Sequence, residues 1–349
     1  MRKRFFAIVL AFTVSLFGLA GCSSSSDTAA GPTEEDCGQG TVLCIGLVTD
    51  TGKVDDKSFN QSAWEGAKAG AEAVGGFAKY IETLDPKDYA TNIALFTDKG
   101  YDVIIGVGFL MAEAITKAAA EYPETKFIGV DQFQGEAVSN LSGLVFPEDK
   151  AGFLAGYLAG NLTTTGKTGA VLGTEVVPPV RYFGEGFRNG VAYAAKELGK
   201  NYPTTKLIYH APDNAFNDPA WGAATAQQLL SQGYDVIFGA GGNTGNGALT
   251  EIAQTPGAYC IGVDSDQWGT LPEAQPCLVT SAMKLIDKGV SALIQKIADG
   301  TFEGGNFFGE VGLAPYHDFD SVISDEIKSK VEALTPQVLD GTVATGVKL

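Results

Sequence analysis

Gly100-Tyr101-Asp102-Val103-Ile104 recurs as Gly233-Tyr234-Asp235-Val236-Ile237, and Ile128-Gly129-Val130-Asp131 recurs as Ile261-Gly262-Val263-Asp264. Both recurrences are offset by 133 residues. The first string alone is ordinary strand material. Two strands and the helix between them at one shared offset do not arise that way. The spacing predicts two lobes of similar topology.

Outward from these repeats, apolar β-rich runs alternate with helical patterns. They cover Cys44–Thr49, Tyr101–Gly106, Lys126–Val130, Gly169–Gly173, Lys206–His210, Asp235–Gly239 and Tyr259–Val263. Uninterrupted apolar strands between helices imply parallel sheets covered on both faces. The fold class is therefore α/β, with each lobe an open, doubly wound sheet. Such sheets bind ligands outside the carboxyl ends of their strands. Asp50, Asp131 and Asp264 each follow a strand end. One Asp there is as readily a helix cap. Three at equivalent places point to a cleft lined by acceptors for ligand hydroxyl and N–H groups.

After Asp50, Ser58 and Gln61 fit a capping box, and the helix beyond runs through Ala63, Trp64, Ala67 and Ala71 to Gly75-Gly76. Phe59 and Asn60 then lie in its first turn. Phe59 either stacks on a flat ligand or packs beneath the helix; the Asn60 amide suits a heterocycle edge. Pro178-Pro179 opens a helix in the other lobe, with Phe183 as a second candidate ring and Phe187 as core. Gly242, within Gly241-Gly242-Asn243-Thr244-Gly245, lets backbone approach a ligand. The glycine order is not that of a dinucleotide fingerprint. Gly166-Lys167-Thr168 is no P-loop, because Asn161 stands where a glycine is required. Lys284, at the end of a probable strand in apolar surroundings, can hold a hydroxyl-rich group together with Asp264; the alternative is a solvated lysine.

The 349 residues suffice for two domains. Met1-Arg2-Lys3-Arg4, the apolar run Phe5–Gly21 and Leu19-Ala20-Gly21-Cys22 read as a secretory signal ending in a lipobox, with Cys22 carrying lipid. A small polar tether follows, from Ser23 through Asp36. Loss of Arg2, Lys3 and Arg4 takes the formal charge from −17 to −20. A surface so acidic, without a basic cluster, excludes nucleic acid as a partner. Four cysteines remain for an oxidising compartment: Cys37 can bridge to Cys44, and Cys260 to Cys277. His210 and His317 have no metal-ligand spacing, so no metal and no cofactor is expected. No nucleophile motif of a hydrolase occurs, which favours a binding module over an enzyme.

The segments Val48-Thr49-Asp50, Asp55-Asp56-Lys57-Ser58-Phe59-Asn60-Gln61-Ser62-Ala63-Trp64-Glu65-Gly66, Gly129-Val130-Asp131 and Phe146–Gly160 come in one order along the chain. Val180–Gly190, Asp235-Val236-Ile237-Phe238, Gly241–Gly245, Gly262–Gln267 and Thr280-Ser281 with Lys284 continue it. Together they resemble the basic membrane lipoprotein family of PnrA-like (TmpC-like) nucleoside-binding proteins. That resemblance implies a type I periplasmic-binding-protein fold whose two lobes are joined by three crossing segments. Its implied domains are signal 1–21, lipidated linker 22–42, an N-terminal lobe of 43–147 plus about 282–311, and a C-terminal lobe of 148–281 plus about 312–349. It further implies a monomeric, lipid-anchored extracytoplasmic receptor that passes a purine nucleoside to an ABC transporter permease. Phe59 and Phe183 would sandwich the base, Asp50 and Asn60 would meet its edge, and Asp131, Gly242, Asp264 and Lys284 would hold the ribose, with Asp266 as an alternative to Asp264. A receptor for a sugar or another small polar ligand is the alternative on the same fold.

Overall fold

A computed structural model describes residues 31–348. The expected signal segment, Cys22 and the expected tether as far as residue 30 lie outside the described residues.

The first sheet contains β1 (Cys44–Thr51), β2 (Phe77–Thr83), β3 (Val103–Val107), β4 (Lys126–Val130) and β5 (Leu141–Val145). The second contains β6 (Thr168–Leu172), β7 (Lys206–Tyr209), β8 (Val236–Ala240), β9 (Tyr259–Asp264) and β10 (Leu278–Lys284). Late in the chain, β11 (Gly305–Phe308) adds to the first sheet and β12 (Val311–Leu313) to the second. The strand orders are β11-β5-β4-β3-β1-β2 and β12-β10-β9-β8-β6-β7, the same pattern twice. Every ladder is parallel except β10 with β12, which is antiparallel. The architecture is thus two α/β lobes with parallel sheets.

Ten helices among the described residues complete the lobes: α1 (Phe59–Ala73), α2 (Tyr89–Thr97), α3 (Ala112–Glu121), α4 (Glu148–Leu162), α5 (Pro178–Glu197), α6 (Pro219–Ser231), α7 (Gly242–Ile252), α8 (Gln267–Thr270), α9 (Ile286–Ala298) and α10 (Asp325–Leu339). None is long and apolar enough to cross a membrane. The central strands are buried along their length, Val103–Val107 and Val236–Ala240 completely, as expected of strands with helices on both faces.

The chain passes between the sheets at three places. Phe146 and Pro147 link β5 to α4, Leu285 links β10 to α9, and Gly309 and Glu310 link β11 to β12. The second crossing falls after Lys284, so the strand Leu278–Lys284 lies wholly in the second sheet. The first and third crossings touch: a methyl added to Gly309 would lie 2.2 Å from the Phe146 ring.

Helices α4 and α5 pack backbone to backbone. A methyl on Gly156 would lie 2.0 Å from the Phe187 carbonyl oxygen, and one on Gly190 2.0 Å from that of Phe153. The glycines therefore set the helix separation, and no side-chain rearrangement can relieve a substitution there. This contact fixes the start of α5, and with it Phe183.

The tether expected through Asp36 ends earlier. Glu34–Asp36 form a 3-10 turn, and Glu34 accepts from Lys79 at 2.8 Å, Lys99 at 2.7 Å and the Tyr101 hydroxyl at 3.1 Å. These donors, the Lys79 and Lys99 ammonium groups foremost, pull its carboxyl down to about 2. A Cys37–Cys44 disulfide closes the segment onto β1. Cys260 and Cys277 form a second disulfide between the starts of β9 and β10. The segment looks like linker in sequence because its anchors are distant residues.

Candidate functional site

The cleft between the sheets has about 600 Å³ of empty space, its mouth included, within the range of small-molecule sites. Asp50, Phe59, Asn60, Asp131, Phe183, Gly242, Asp264 and Lys284 all line it. Sheet topology explains this gathering. Asp50 lies near the end of β1, Asp131 directly follows β4 and Asp264 ends β9, so three carboxyl-terminal strand ends meet across the cleft.

Asp131 and Asp264 have left-handed backbones, with φ of 61° and 65°. That conformation costs an L-residue about 1–2 kcal/mol and collects at functional positions. Lys284 binds Asp131 at 2.6 Å and lies 3.7 Å from both Asp264 and Glu148. Its ammonium is also 4.6 Å from the Phe59 ring centre and 5.6 Å from those of Phe146 and Phe183. Burial opposes the charge on Lys284, but Asp131, Asp264 and Glu148 outweigh burial and hold its affinity for a proton above that of an ordinary lysine. Burial also raises Asp131, against the pull of Lys284. It pushes Glu148 up to about 8, again with Lys284 opposing.

The lining has more acceptors than donors. Asp131 Oδ1 and Asn60 Oδ1 are buried without a hydrogen-bond partner among the described residues. Burial, followed by the charges of Asp56 and Asp131, pushes Asp50 up to about 7. An unsatisfied buried acceptor costs about 1–3 kcal/mol, which a ligand bearing hydroxyl and N–H groups would recover. Asp50 and Asn60 are neighbours: a methyl on Gly52 would lie 2.8 Å from Asn60 Nδ2 and 3.9 Å from Asp50 Oδ1. Gly108, at φ 111°, leaves the space that Asp50 occupies, since a methyl there would stand 2.0 Å from Asp50 Oδ2.

The capping box of Ser58 and Gln61 does not form. Ser58 is the N-cap residue, but its side chain makes no cap bond. The Asp56 carboxylate caps instead, accepting from the backbone N–H groups of Ser58, Asn60 and Gln61 at 3.0, 2.9 and 3.1 Å. Burial pushes Asp56 up to about 7 against these donors. Ser58 Oγ is drawn across the cleft to Asp264, donating at 2.7 Å. Gly241-Gly242, expected to let the backbone approach a ligand, line the cleft and lead directly into α7, with Gly242 at φ 54°.

Asp56, Phe216 and Glu148 were not found by sequence reasoning. Asp56 and Phe216 line the cleft, and Glu148 supports Lys284. Phe216 sits in the segment between β7 and α6 and is only half-buried, whereas Phe183 is 3% exposed and packs at a steep angle against the Phe238 ring. Asp266, the alternative to Asp264, caps α8 and meets His317 at 2.8 Å instead. It is not among the residues lining the cleft. No metal-binding group of three or more His, Cys, Asp or Glu occurs among the described residues.

Comparison with known proteins agrees with this architecture. The chain is 32% identical to a CD4+ T-cell-stimulating antigen of Listeria innocua, across 98% of each chain. It is 28% identical to the ABC transporter nucleoside-binding protein BmpA of Lactococcus lactis, across 98% of this chain and 99% of that one. The crystal structure of an ABC transporter system solute-binding protein from Aeropyrum pernix superposes with a TM-score of 0.77 at 26% identity, covering 86% of this chain and 92% of the other. The structural neighbours of this chain are solute-binding proteins of the type I periplasmic-binding fold. The sequence pattern of PnrA-like ABC transporter substrate-binding proteins matches residues 45–310. The chain therefore belongs to the Bmp family of PnrA-like ABC transporter substrate-binding proteins, a family of solute-binding proteins rather than enzymes.

Proposed function

We propose that the chain captures a purine ribonucleoside between its lobes and hands it to an ABC permease, acting as a monomer held at the outer face of a cell membrane by lipid on Cys22. One observation carries this reading: aromatic rings lie over a buried lysine surrounded by carboxylates, beside a neighbouring Asp and Asn. The rings suit the faces of a flat base, Asp50 and Asn60 suit its polar edge, and Asp131, Asp264 and Lys284 suit sugar hydroxyls. Family membership implies a small-molecule ligand and a permease. The Lactococcus relative's name adds nucleoside binding. Phe59 forms one wall of the base site, with Phe183 or the more accessible Phe216 opposite.

Calorimetry with guanosine, inosine, adenosine and free ribose tests the reading, together with mass spectrometry of whatever co-purifies. A nucleoside is expected to bind far more tightly than ribose. Equal binding of ribose would transfer the function to a sugar receptor. Phe59→Ala and Asp264→Ala should each weaken nucleoside binding at least about tenfold, roughly 1.4 kcal/mol. Unchanged affinity in both variants would sink the site assignment.

A further inference from the structure

The loop Asp56-Lys57-Ser58, between β1 and α1, makes a set of polar contacts to the opposite lobe. The Lys57 carbonyl oxygen accepts from Thr270 Oγ1 at 2.6 Å, Ser265 Oγ at 3.3 Å and Gln267 Nε2 at 3.4 Å. Asn246 Nδ2 donates to the Asp56 carbonyl at 2.7 Å. Ser58 Oγ donates to Asp264. Every group opposite the loop belongs to the second lobe.

The backbone is shaped for these contacts. Lys57 has φ 62°, a left-handed conformation unfavourable for a lysine. The side chains that meet it are themselves held in place. Gln267 is fully buried; its amide oxygen accepts from Val263 N at 2.9 Å, and its amide nitrogen donates to Asn246 Oδ1 at 2.8 Å. The same loop also determines ligand geometry, because the Asp56 carboxylate caps the turn that carries Phe59 and Asn60. One short loop thus carries both the contacts to the second lobe and the cap of that turn.

We propose that Asp56-Lys57-Ser58 is the closure latch of the receptor and that Thr270, Ser265, Gln267 and Asn246 are positioning residues that catch it, governing how long a ligand stays rather than how fast it arrives. The proposal deepens the nucleoside reading, since it concerns regulation of the same cleft. Its physical basis is that ligand enters before the lobes meet. Bonds made only on closure therefore slow dissociation and leave association unchanged.

Thr270 is the residue to change, because it holds the shortest bond to Lys57. With guanosine as probe, stopped-flow binding of Thr270→Val should show dissociation about fivefold faster than wild type, with the association rate within twofold. Thr270→Ser, which keeps the hydroxyl, should restore the wild-type rate. Adding Ser265→Ala to Thr270→Val should accelerate dissociation further. Small-angle scattering at saturating guanosine should show a larger radius for the double variant. A Thr270→Val dissociation rate within twofold of wild type, with its fold intact by circular dichroism, would overturn the latch. If wild type binds no nucleoside, the ligand reading fails by itself. Hydrogen exchange at the amides of residues 56–58 then decides the latch without a ligand: faster exchange in Thr270→Val supports it, and equal exchange refutes it.

Discussion

Asp131 and Asp264 stand at the same place in two copies of one motif, with nearly the same left-handed backbone, yet their side chains have different partners. Asp131 holds Lys284 at 2.6 Å. Asp264 lies 3.7 Å from that lysine and takes a hydrogen bond from Ser58 of the other lobe. The repeat thus reproduces strand, turn and strain in both lobes, while the partner depends on what the facing lobe supplies. Both contacts cross between the lobes, but one copy anchors the buried cation and the other meets the loop ahead of α1.

The strongest test of this contrast removes the cation. Lys284→Met leaves Asp131, Asp264 and Glu148 buried around an uncharged side chain, and should cost about 3–5 kcal/mol in urea denaturation. Asp131→Asn should likewise lower stability, by about 2 kcal/mol, because it strips the lysine of its shortest partner. Asp264→Asn should cost less than about 1 kcal/mol and act mainly on ligand affinity. Equal stability losses from the two Asp variants would erase the distinction.

A second comparison sets the helix pairs of the two lobes side by side. Gly156→Ala forces a methyl to 2.0 Å from a backbone oxygen, whereas Gly70→Ala meets the Ile294 side chain at 2.6 Å. The first should destabilise by about 2–3 kcal/mol, and the second by less, since the Ile294 terminus can turn aside. Thermal melts of the two variants provide the check.

The last contrast concerns pH. Asp50 and Asp56, raised to about 7, and Glu148, raised to about 8, take up protons in the folded chain that their unfolded counterparts have already lost. Stability should therefore fall as pH rises from about 5 to 8.5, and Asp50→Asn should flatten the slope. Glu34 has the opposite sign. Its contribution is present above its ordinary value of 4.5 and is lost as pH falls toward 2. A midpoint of thermal unfolding that rises steadily from pH 5 to 8.5 would contradict the buried-carboxylate assignment.

Much of the fold could be read in the sequence where burial is complete. Val103–Val107, Lys126–Val130 and Val236–Ala240 are apolar because helices cover both faces of their sheets. Phe77–Thr83 escaped notice because it is a half-exposed edge strand with mixed side chains. Leu141–Val145 is interrupted by Ser142 and Gly143, and Gly305–Phe308 and Val311–Leu313 are too short to show a period. The eight expected ligand residues do reach one cleft. The supporting residues were hidden by local look-alikes. Glu148 resembles an ordinary first-turn acid, and Asp56 is overshadowed by the better-known cap sequence at Ser58. Phe216 lies in a segment without periodicity. Glu148 acquires its role from Lys284, far away in the chain, which a local pattern does not encode.

Lys284 is the last residue of its strand, and the chain leaves for the other lobe at the next position. Phe146, beneath its ammonium, sits on another crossing. The cation therefore sits beside two of the three crossings, where a rotation of one lobe on the other would produce little displacement. Parts near an axle keep their spacing through a swing that carries the rim much farther. The cation can thus serve as a fixed reference beside the crossings, with Asp264 touching both it and Ser58 of the facing lobe.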